Sequence, residues 1–477
     1  MNLLGIDVGT TSLKAVCFRD NGERLHEVNL DYTLSTEGDR VEFDPAEYVR
    51  IAKKAIEEIR SVCTVDAISI DTQGETMILT DENGNPTMPA IVWLDNRATK
   101  EAEEIAEKFG LETLYRTTGQ AECTGGWPCC KVLWVQRNLP EAWKKTKKIF
   151  LLEDWLLWAL SGEFVTEPTI QSSSLYLDIT KEDWWDEMLE YIGIDRSYLP
   201  AIHPAGTKIG LFDGIPVVTG ALDQIAGAVG VGVVDGSVVS EMTGTIMAIC
   251  AVTESIPPFD PDSKIPCHLH ALKGKYVSLL WSSTAGMALK WFRNGFAKDL
   301  SFRELDELAA KVPAGCEGLT MLPHLCGSTM PVYNPDARGT FWGMTLAHGV
   351  GHFARSILEA VAFTLKDDLE CIGAKCDEIR ITGGGASSPL WAQIKADVTG
   401  LKLCTLKEKE SACLGTAILA GVGVGIYASV EEACQRLVKT EKVYAPQGTD
   451  YCAAYRQYKK LDRLLNDPKN VIQEKAE

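Results

Sequence analysis

The feature that most constrains the fold is a succession of β-rich runs and tight turns at the start of the chain. The apolar run LLGIDVG is followed by the turn-prone residues 10–12, a second run LKAVCF and the hairpin signal Asp20-Asn21-Gly22. This pattern predicts three antiparallel strands. Asp44 and Pro45 then open a helical pattern, and the run DAISIDTQG predicts a further strand. The order βββαβ indicates a mixed α/β sheet that begins as a meander.

A similar pattern recurs in the middle of the chain. The run from Val238 to Val252 places two β-rich segments around a small-residue turn, and residues 377–400 have the pattern strand, glycine turn, helix. The recurrence indicates a tandem duplication. Since the glycine-rich stretch 230–236 is the best candidate for a hinge, we expect two domains, 1–236 and 237–477, in this chain of 477 residues. The polar C-terminal end is expected to be frayed.

Composition and charge exclude several classes of partner. The chain has 47 Lys and Arg against 66 Asp and Glu, a net charge of -19, and a surface that acidic repels phosphate backbones and anionic membranes. We therefore expect no nucleic-acid or membrane partner. Asp7 interrupts the apolar start, and no apolar run is long and unbroken enough to span a membrane, so we expect a cytoplasmic protein. The fifteen cysteines predict free thiols, and His268 and His270 are expected in a solvated loop.

Four turns rich in glycine, threonine or serine follow predicted strands, an arrangement suited to binding phosphate. Glycine allows the backbone to approach a phosphate, while hydroxyl and main-chain N–H groups donate to its oxygens. There is no GxxxxGK[ST], which excludes a Walker-type loop. Each turn alone more often marks a hairpin or a helix start, but together they indicate a nucleotide site. The turns are Gly9-Thr10-Thr11-Ser12, Thr243-Gly244-Thr245, Ala285-Gly286 and Gly383-Gly384-Gly385-Ala386.

Two acidic residues beside strand ends are candidates for chemistry. Asp7 ends the first predicted strand next to a phosphate-type turn, where a carboxylate could hold a hydrated Mg²⁺ or form hydrogen bonds within the turn. Asp223 lies between a strand-like run and a small-residue helical run. It could cap that helix, or it could accept a proton from a hydroxyl group.

Two stretches match, position by position, the signatures of the FGGY carbohydrate kinases. They are GWPCCKVLWVQRN at residues 126–138 and GTFWGMTLAHGVGHFARSILE at residues 339–359. The similarity also covers IDVGTTSLK, GALDQIAGAVG and ITGGGAS in the same order. The chain therefore resembles this family over essentially its whole length, and the resemblance is nearest to xylulose kinases.

The resemblance implies an α/β fold with two tandem actin-like (ribonuclease H-like) ATPase domains. Each domain would hold a mixed five-stranded sheet with flanking helices, and the two would face a central cleft. The first domain would carry the sugar side of the cleft and the second the nucleotide side. The implied ligands are ATP, Mg²⁺ and a small sugar, and a homodimer is compatible with the family.

The resemblance also assigns roles to individual residues. Asp223 would be the general base, Gln224 would contact the substrate, and Asp7 would associate with Mg²⁺. The implied nucleotide contacts are Thr10, Thr11, Ser12, Lys14, Thr243, Gly244, Thr245, Gly286, Gly384, Gly385 and Ala386. The implied substrate wall holds Gln73, Glu75, Trp93, Asp95 and Arg97, with core packing as the alternative for Trp93.

The substrate wall departs from two known patterns. Xylulose kinases typically carry Met-His-Gly where this chain has Gln73-Gly74-Glu75, and glycerol kinases carry Arg and Tyr at the positions of Gly74 and Gly126. Both glycines predict a pocket larger than glycerol needs. We therefore expect a ketopentose such as D-xylulose, with erythritol, glycerol, ribulose and gluconate as alternatives. An actin-like ATPase and a non-catalytic sugar-binding regulator are the alternatives from other classes.

Overall fold

The computed structural model describes residues 1–330 and 332–466 as an α/β protein with two large sheets. The expected fraying of residues 467–477 lies outside the described residues and stays a prediction.

The helices are α1 (Pro45–Val62), α2 (Thr99–Phe109), α3 (Leu111–Thr118), α4 (Pro128–Asn138), α5 (Pro140–Lys145), α6 (Leu152–Ser161), α7 (Pro168–Gln171), α8 (Asp186–Tyr191), α9 (Asp223–Gly230), α10 (Gly286–Phe296), α11 (Phe302–Ala309), α12 (Val350–Cys371), α13 (Pro389–Thr399), α14 (Ser411–Gly423), α15 (Val430–Leu437) and α16 (Cys452–Asn466).

The strands alternate with these helices along the chain. They are β1 (Asn2–Val8), β2 (Ser12–Arg19), β3 (Arg24–Asp31), β4 (Ser35–Glu37), β5 (Arg40–Phe43), β6 (Ala67–Thr72), β7 (Met77–Thr80), β8 (Ala90–Ile91), β9 (Lys148–Leu151), β10 (Val165–Thr166), β11 (Leu177–Asp178), β12 (Asp183–Trp184), β13 (Ala201–Ile202), β14 (Lys208–Phe212), β15 (Ile215–Val218), β16 (Val238–Thr243), β17 (Met247–Thr253), β18 (Cys267–Leu269), β19 (Tyr276–Ser282), β20 (Thr320–Leu322), β21 (Thr340–Trp342), β22 (Glu378–Thr382), β23 (Lys402–Leu406) and β24 (Thr440–Tyr444).

The first large sheet contains the meander that the N-terminal pattern predicts. Its order is β14-β15-β6-β1-β2-β3, with antiparallel pairs along β1-β2-β3 and parallel pairs along β1-β6-β15. Helix α1 covers this sheet and begins as expected, because the side chain of Asp44 accepts a hydrogen bond from the Ala46 amide at 2.9 Å and Pro45 opens the first turn. The predicted order βββαβ is therefore confirmed.

The second large sheet repeats the first. Its order is β18-β19-β17-β16-β22-β23-β24, and the strands β19, β17, β16, β22 and β23 show the same sequence of antiparallel and parallel pairs as β3, β2, β1, β6 and β15. The predicted duplication is confirmed at the level of topology. The expected count of five strands holds only for this shared core, because β14 extends the first sheet and β18 and β24 extend the second.

Helices α9 and α14 follow the fifth core strand of each unit and cross one another between the sheets. A Cβ at Gly230 would lie 1.8 Å from the Ser411 carbonyl oxygen, and one at Gly415 would lie 1.9 Å from the Ala226 oxygen. The helices approach this closely because neither crossing position carries a side chain. The core around them contains side chains from both sheets, such as Leu3 of β1. The stretch expected to act as a hinge thus begins at this crossing.

A large insertion separates β6 from β15. It holds α2 to α8 together with strands that complete a smaller five-stranded sheet of order β4-β5-β8-β7-β9. The sequence analysis did not anticipate this sheet.

All fifteen cysteines are free, as expected. Within residues 1–330 and 332–466, no helix is both long and apolar enough to cross a membrane.

Candidate active site

A cavity of about 480 Å³ lies between the two halves of the chain. Its walls come from the turn after β1, the inserted region, the start of α9, and the strands β16 to β19 of the second sheet. Most of the predicted sugar-side residues line it. Those residues are Gln73, Glu75, Trp93, Asp223 and Gln224, joined by Thr10.

Asp223 is the first residue of α9 and lines this cavity. One carboxylate oxygen accepts a hydrogen bond from the backbone N–H of Gln224 at 2.6 Å, and no donor among the described residues reaches the other oxygen. Burial raises the pKa of Asp223 to about 8, and the charge of Asp7 contributes to the increase. Asp223 is the first residue of the helix rather than its N-cap, and its side chain makes no capping hydrogen bond, so the expected helix cap is not found. One of its oxygens is free to accept a proton.

Two buried carboxyl groups hold the loop that leads to Asp223. Glu153 accepts a hydrogen bond from the Gly220 amide at 2.8 Å. Thr169 accepts one from the Leu222 amide at 2.8 Å and donates its hydroxyl to Glu167 at 2.7 Å. Burial raises the pKa of Glu153 and brings that of Glu167 to about 7. The sequence analysis did not single out these residues, because their partners are distant along the chain.

Asp7 and Asp71 lie side by side at the ends of the parallel strands β1 and β6. Burial raises the pKa of both carboxyl groups, and the charge of Asp7 raises that of Asp71 further. Thr416 of α14 donates its hydroxyl to Asp71. Lys14 does not reach into the phosphate-type turn, because its ammonium group donates to Glu410 at 2.6 Å.

The turn after β1 is held by a compact set of hydrogen bonds. The Gly9 amide donates to the Ser12 oxygen at 3.0 Å, and the Tyr32 amide donates to the Thr11 oxygen at 2.9 Å. Thr10 accepts a hydrogen bond from the indole N–H of Trp93 at 3.0 Å. Of the four predicted turn contacts Thr10, Thr11, Ser12 and Lys14, only Thr10 lines the cavity.

The other three glycine turns converge on a second cavity of about 1020 Å³. They pack closely because their glycines lack side chains: a Cβ at Gly286 would lie 2.2 Å from the Gly244 oxygen, and one at Gly385 would lie 2.7 Å from the Thr243 Cβ. Ala386 belongs to the last turn but does not line the cavity. The lining includes the predicted residues Thr243, Gly244, Thr245, Gly286, Gly384 and Gly385.

The β16–β17 turn lies between the two cavities. Thr243 and Thr245 line the larger cavity, whereas Met242 and Ile246 line the smaller one. Behind the turn, the buried ammonium group of Lys395 donates to the Thr243 hydroxyl at 2.8 Å and to Glu241 at 3.0 Å. A group bound in one cavity would therefore meet a group bound in the other at this turn.

Comparison with known proteins identifies the family. The N-terminal domain model of the FGGY family of carbohydrate kinases matches residues 2–230, and the C-terminal domain model matches residues 273–424. The chain belongs to the FGGY family of carbohydrate kinases. It is a sugar kinase, a phosphotransferase with an alcohol group as acceptor, and kinases of this family use ATP as the phosphate donor.

Individual relatives are kinases named for different substrates. The chain is 30% identical to the xylulose kinase of Lactococcus lactis, over 95% of this chain and 94% of that one. It is 29% identical to the gluconokinase of Bacillus subtilis, over 90% and 87%. The crystal structure of a ligand-bound xylulose kinase from Lactobacillus acidophilus matches with a TM-score of 0.89 at 25% identity, over 97% and 98%. The two-domain actin-like fold expected of an FGGY kinase is confirmed.

In this FGGY kinase, a buried lysine holds two segments of the sugar wall together. Lys131 of α4 donates to the Glu75 carbonyl oxygen at 2.9 Å and to the Val92 carbonyl oxygen at 3.0 Å. Burial lowers the pKa of Lys131 to about 8. Glu75 has a φ of 53°, an unusual conformation for a residue other than glycine, and the lysine fixes its backbone. Gln73 lies on the same wall, and its amide nitrogen donates to the Tyr48 hydroxyl at 3.3 Å.

Asp95 lies behind the wall and does not line the sugar cavity, which corrects the expected direct contact. Its carboxylate accepts hydrogen bonds from the Val41 amide and from the Arg97 guanidinium, both at 2.6 Å. Arg97 also bonds to Glu42 and stacks on Trp134. These bonds, with two more from Arg97, occupy both carboxylate oxygens of Asp95, so none is left for a sugar hydroxyl. The pair instead stabilises the loop that carries Trp93.

The sequence analysis missed six polar residues of the cavity wall: Asn96, Gln120, Glu122, Thr124, Lys264 and His268. His268 lies on β18 and is 4% exposed, and His270 is equally buried, so the expected solvated loop was wrong. The apolar residues around both histidines were a signal for a buried strand. No local pattern could show which part of the first half this strand would contact.

Proposed function

We propose that this protein transfers the γ-phosphate of MgATP to a hydroxyl group of a neutral ketose, with D-xylulose as the preferred acceptor and Asp223 as the general base. The observation that carries the proposal is the free carboxylate oxygen of Asp223 in a cavity that both halves of the chain line. A base at this position can accept the proton of a sugar hydroxyl as that oxygen attacks phosphorus.

The two cavities suit the two substrates. The smaller one would hold the sugar, and the larger one, with its three glycine turns, would hold the nucleotide. The β16–β17 turn between them presents the exposed Thr245 hydroxyl where the transferred phosphoryl group would pass, while the Thr243 hydroxyl behind it is held by Lys395 and Glu241. Donors fixed in advance stabilise the charge on that group without reorganising during the reaction.

The residues at the end of β1 fit a magnesium ion. Asp7 is half-buried there, and the neighbouring Asp71 keeps one buried oxygen without a hydrogen-bond partner. Mg²⁺ prefers carboxylate oxygens and is usually held through one or two of them together with waters and substrate phosphates. Asp7 would therefore hold the ion, with Asp71 supporting it from behind. When bound, Mg²⁺ would offset the negative charge of the phosphates.

The charges of the sugar cavity favour a neutral acceptor over an aldonate. Glu75, Glu122 and Asp223 line the cavity, and Lys264, the lysine among its lining residues, is already paired with Glu122. A substrate carboxylate would therefore find no free cation in this lining. Burying an unpaired carboxylate is costly, so this arrangement supports a ketose or polyol over gluconate.

Two glycines support an acceptor larger than glycerol. Gly74 and Gly126 both line the cavity. A Cβ at Gly74 would lie 3.0 Å from both Leu222 and Ser173, and one at Gly126 would lie 3.2 Å from the Trp93 oxygen. Large side chains at these positions would displace the walls or fill the cavity, so the glycines leave room for additional hydroxymethyl groups of a pentulose.

The experiment is a coupled ADP-release assay with saturating MgATP and D-xylulose, D-ribulose, erythritol, glycerol or D-gluconate, with a no-sugar reaction as the control. We expect the highest kcat/KM for D-xylulose and a value for gluconate lower by about 10²-fold, the discrimination that an unpaired buried charge provides. ADP release that no sugar stimulates would contradict the kinase proposal. Equal or better use of gluconate or glycerol would contradict the choice of acceptor.

We also propose that the boundary between the two domains lies at residues 236 and 237. The family models support this position, because one ends at residue 230 and the other begins at residue 273. Helix α14 belongs to the second half in sequence but packs on β1 and β6, so the two domains share their central helices.

A further inference from the structure

One side of the sugar cavity is built by a segment that lies outside both matched family models. Residues 231–272 fall between the two models, and within them β18 docks on the first half of the chain. The Cys267 amide donates to the Gly119 oxygen at 2.8 Å, and the Leu269 amide donates to the Ser172 hydroxyl at 3.1 Å. A Cβ at Gly119 would lie 1.8 Å from the Cys267 oxygen, so the glycine permits this contact.

This docking brings Gln120 and His268 together in the cavity wall. Gln120 follows Gly119, is 1% exposed and lines the cavity. Its amide nitrogen donates to the Ser172 carbonyl oxygen at 2.7 Å and lies 3.4 Å from the His268 Nε2. Burial lowers the pKa of His268 to about 4, so the ring is neutral at physiological pH and its Nε2 can accept.

The two contacts fix the orientation of the Gln120 amide. Both N–H groups are directed at protein acceptors, which leaves the Oε1 as an acceptor of known direction. None of the described residues donates to this oxygen, and it is not among the fully enclosed polar atoms without a partner. Since Gln120 lines the cavity, its Oε1 is available to a ligand there.

We propose that Gln120 is a specificity-determining residue that accepts a hydrogen bond from one hydroxyl group of the sugar, and that His268 and Ser172 position its amide for this contact. The inference rests on the proposed function and narrows its substrate class. At the position facing Gln120 the acceptor must carry a hydroxyl group, because a carbonyl or carboxylate oxygen cannot donate and would leave the amide oxygen unpaired.

The test compares the wild type with Gln120→Met, which keeps length and removes the amide. D-Xylulose and its monodeoxy analogues are used, and sugar affinity is measured by tryptophan fluorescence alongside ADP release. Gln136→Met is the matched control, because the Gln136 amide donates to the Ile192 oxygen at 2.7 Å and does not line the cavity. If the Met variant fails to fold, Gln120→Asn replaces it in the test, because its side chain is one methylene shorter and moves the amide oxygen away from the sugar.

Loss of one hydrogen bond to a neutral amide should raise KM and the sugar Kd by about tenfold, with kcat changed much less. One monodeoxy analogue should bind the wild type as weakly as the parent sugar binds the Gln120→Met variant. The Kd of that analogue should be the same for the variant as for the wild type. An unchanged Kd, or an equal loss for the parent and every analogue, would overturn the inference. Sugar binding without ADP release would instead overturn the proposed function, while the Kd values would still decide the role of Gln120.

Discussion

At the scale of single residues, Asp223 is placed by long-range contacts rather than by its own neighbours in sequence. Glu153 and Thr169 hold the loop before it. Burial and the charge of Asp7 raise the pKa of Asp223. A group with a pKa of about 8 is well matched to general-base work near neutral pH.

The raised pKa of Asp223 predicts the pH dependence of the reaction. In the free protein a carboxyl with a pKa of about 8 is mostly protonated at pH 7 and cannot accept a proton. We therefore expect kcat/KM to rise with pH and to level off above about pH 8. The measurement is the initial rate at low sugar concentration across this range, with the coupling enzymes in excess. A profile that is flat or that falls as pH rises to 8 would contradict the assignment.

The sequence predicts those site residues whose role can be recognised from their neighbours along the chain. Asp223 and Gly286 could be found because each stands at a turn after a strand, and the family signatures reinforced the choice. Gln120 could not, since its role depends on His268, which is 148 residues away. Asp95 was assigned to the sugar because carboxylates suit hydroxyl groups, but the sequence does not show that Arg97 and Val41 occupy it.

At the scale of elements, the crossing of α9 and α14 joins the two sheets. Both sheets are built from the same five-strand unit, and the helix after the fifth strand of each unit meets its counterpart at Gly230 and Gly415. The alternation of β-rich runs, turns and helical spacing was sufficient to predict the unit and its repetition. The edge strands and the inserted sheet were not predictable, because short strands acquire their partners only in the folded chain.

Two glycines of α9 give a matched test of this crossing. Gly230→Ala would place a methyl group 1.8 Å from the Ser411 oxygen, whereas Gly227→Ala would meet its nearest atom, the Ser411 hydroxyl, at 3.9 Å. We expect the first change to destabilise the protein by about 1–3 kcal/mol or more and the second to be neutral or slightly stabilising. Thermal unfolding by circular dichroism measures both. Equal melting temperatures would show that the helices do not cross this tightly.

At the scale of the whole molecule, both halves supply walls of the sugar cavity, and the ion pair between Lys264 and Glu122 links them there. A kinase must exclude water from the transferred phosphoryl group, and closure of two domains is a common way to do so. The oligomeric state stays a prediction.

Closure should be visible by small-angle X-ray scattering. With D-xylulose and a non-hydrolysable ATP analogue together, we expect a smaller radius of gyration than with either ligand alone or with none. The scattering must be extrapolated to zero protein concentration, so that association does not mask the change. Superimposable curves with and without both ligands would count against closure.

The most direct test of the account is sugar-dependent ADP release by the wild type and by Asp223→Asn, with sugar affinity and melting temperature measured on the same preparations. Asn keeps the size of the side chain and remains a good residue for a helix start, but it cannot accept the proton. The account predicts a folded variant that binds sugar within a few-fold of the wild type and whose kcat is lower by about 10²-fold or more. A folded variant with near-normal kcat would contradict it.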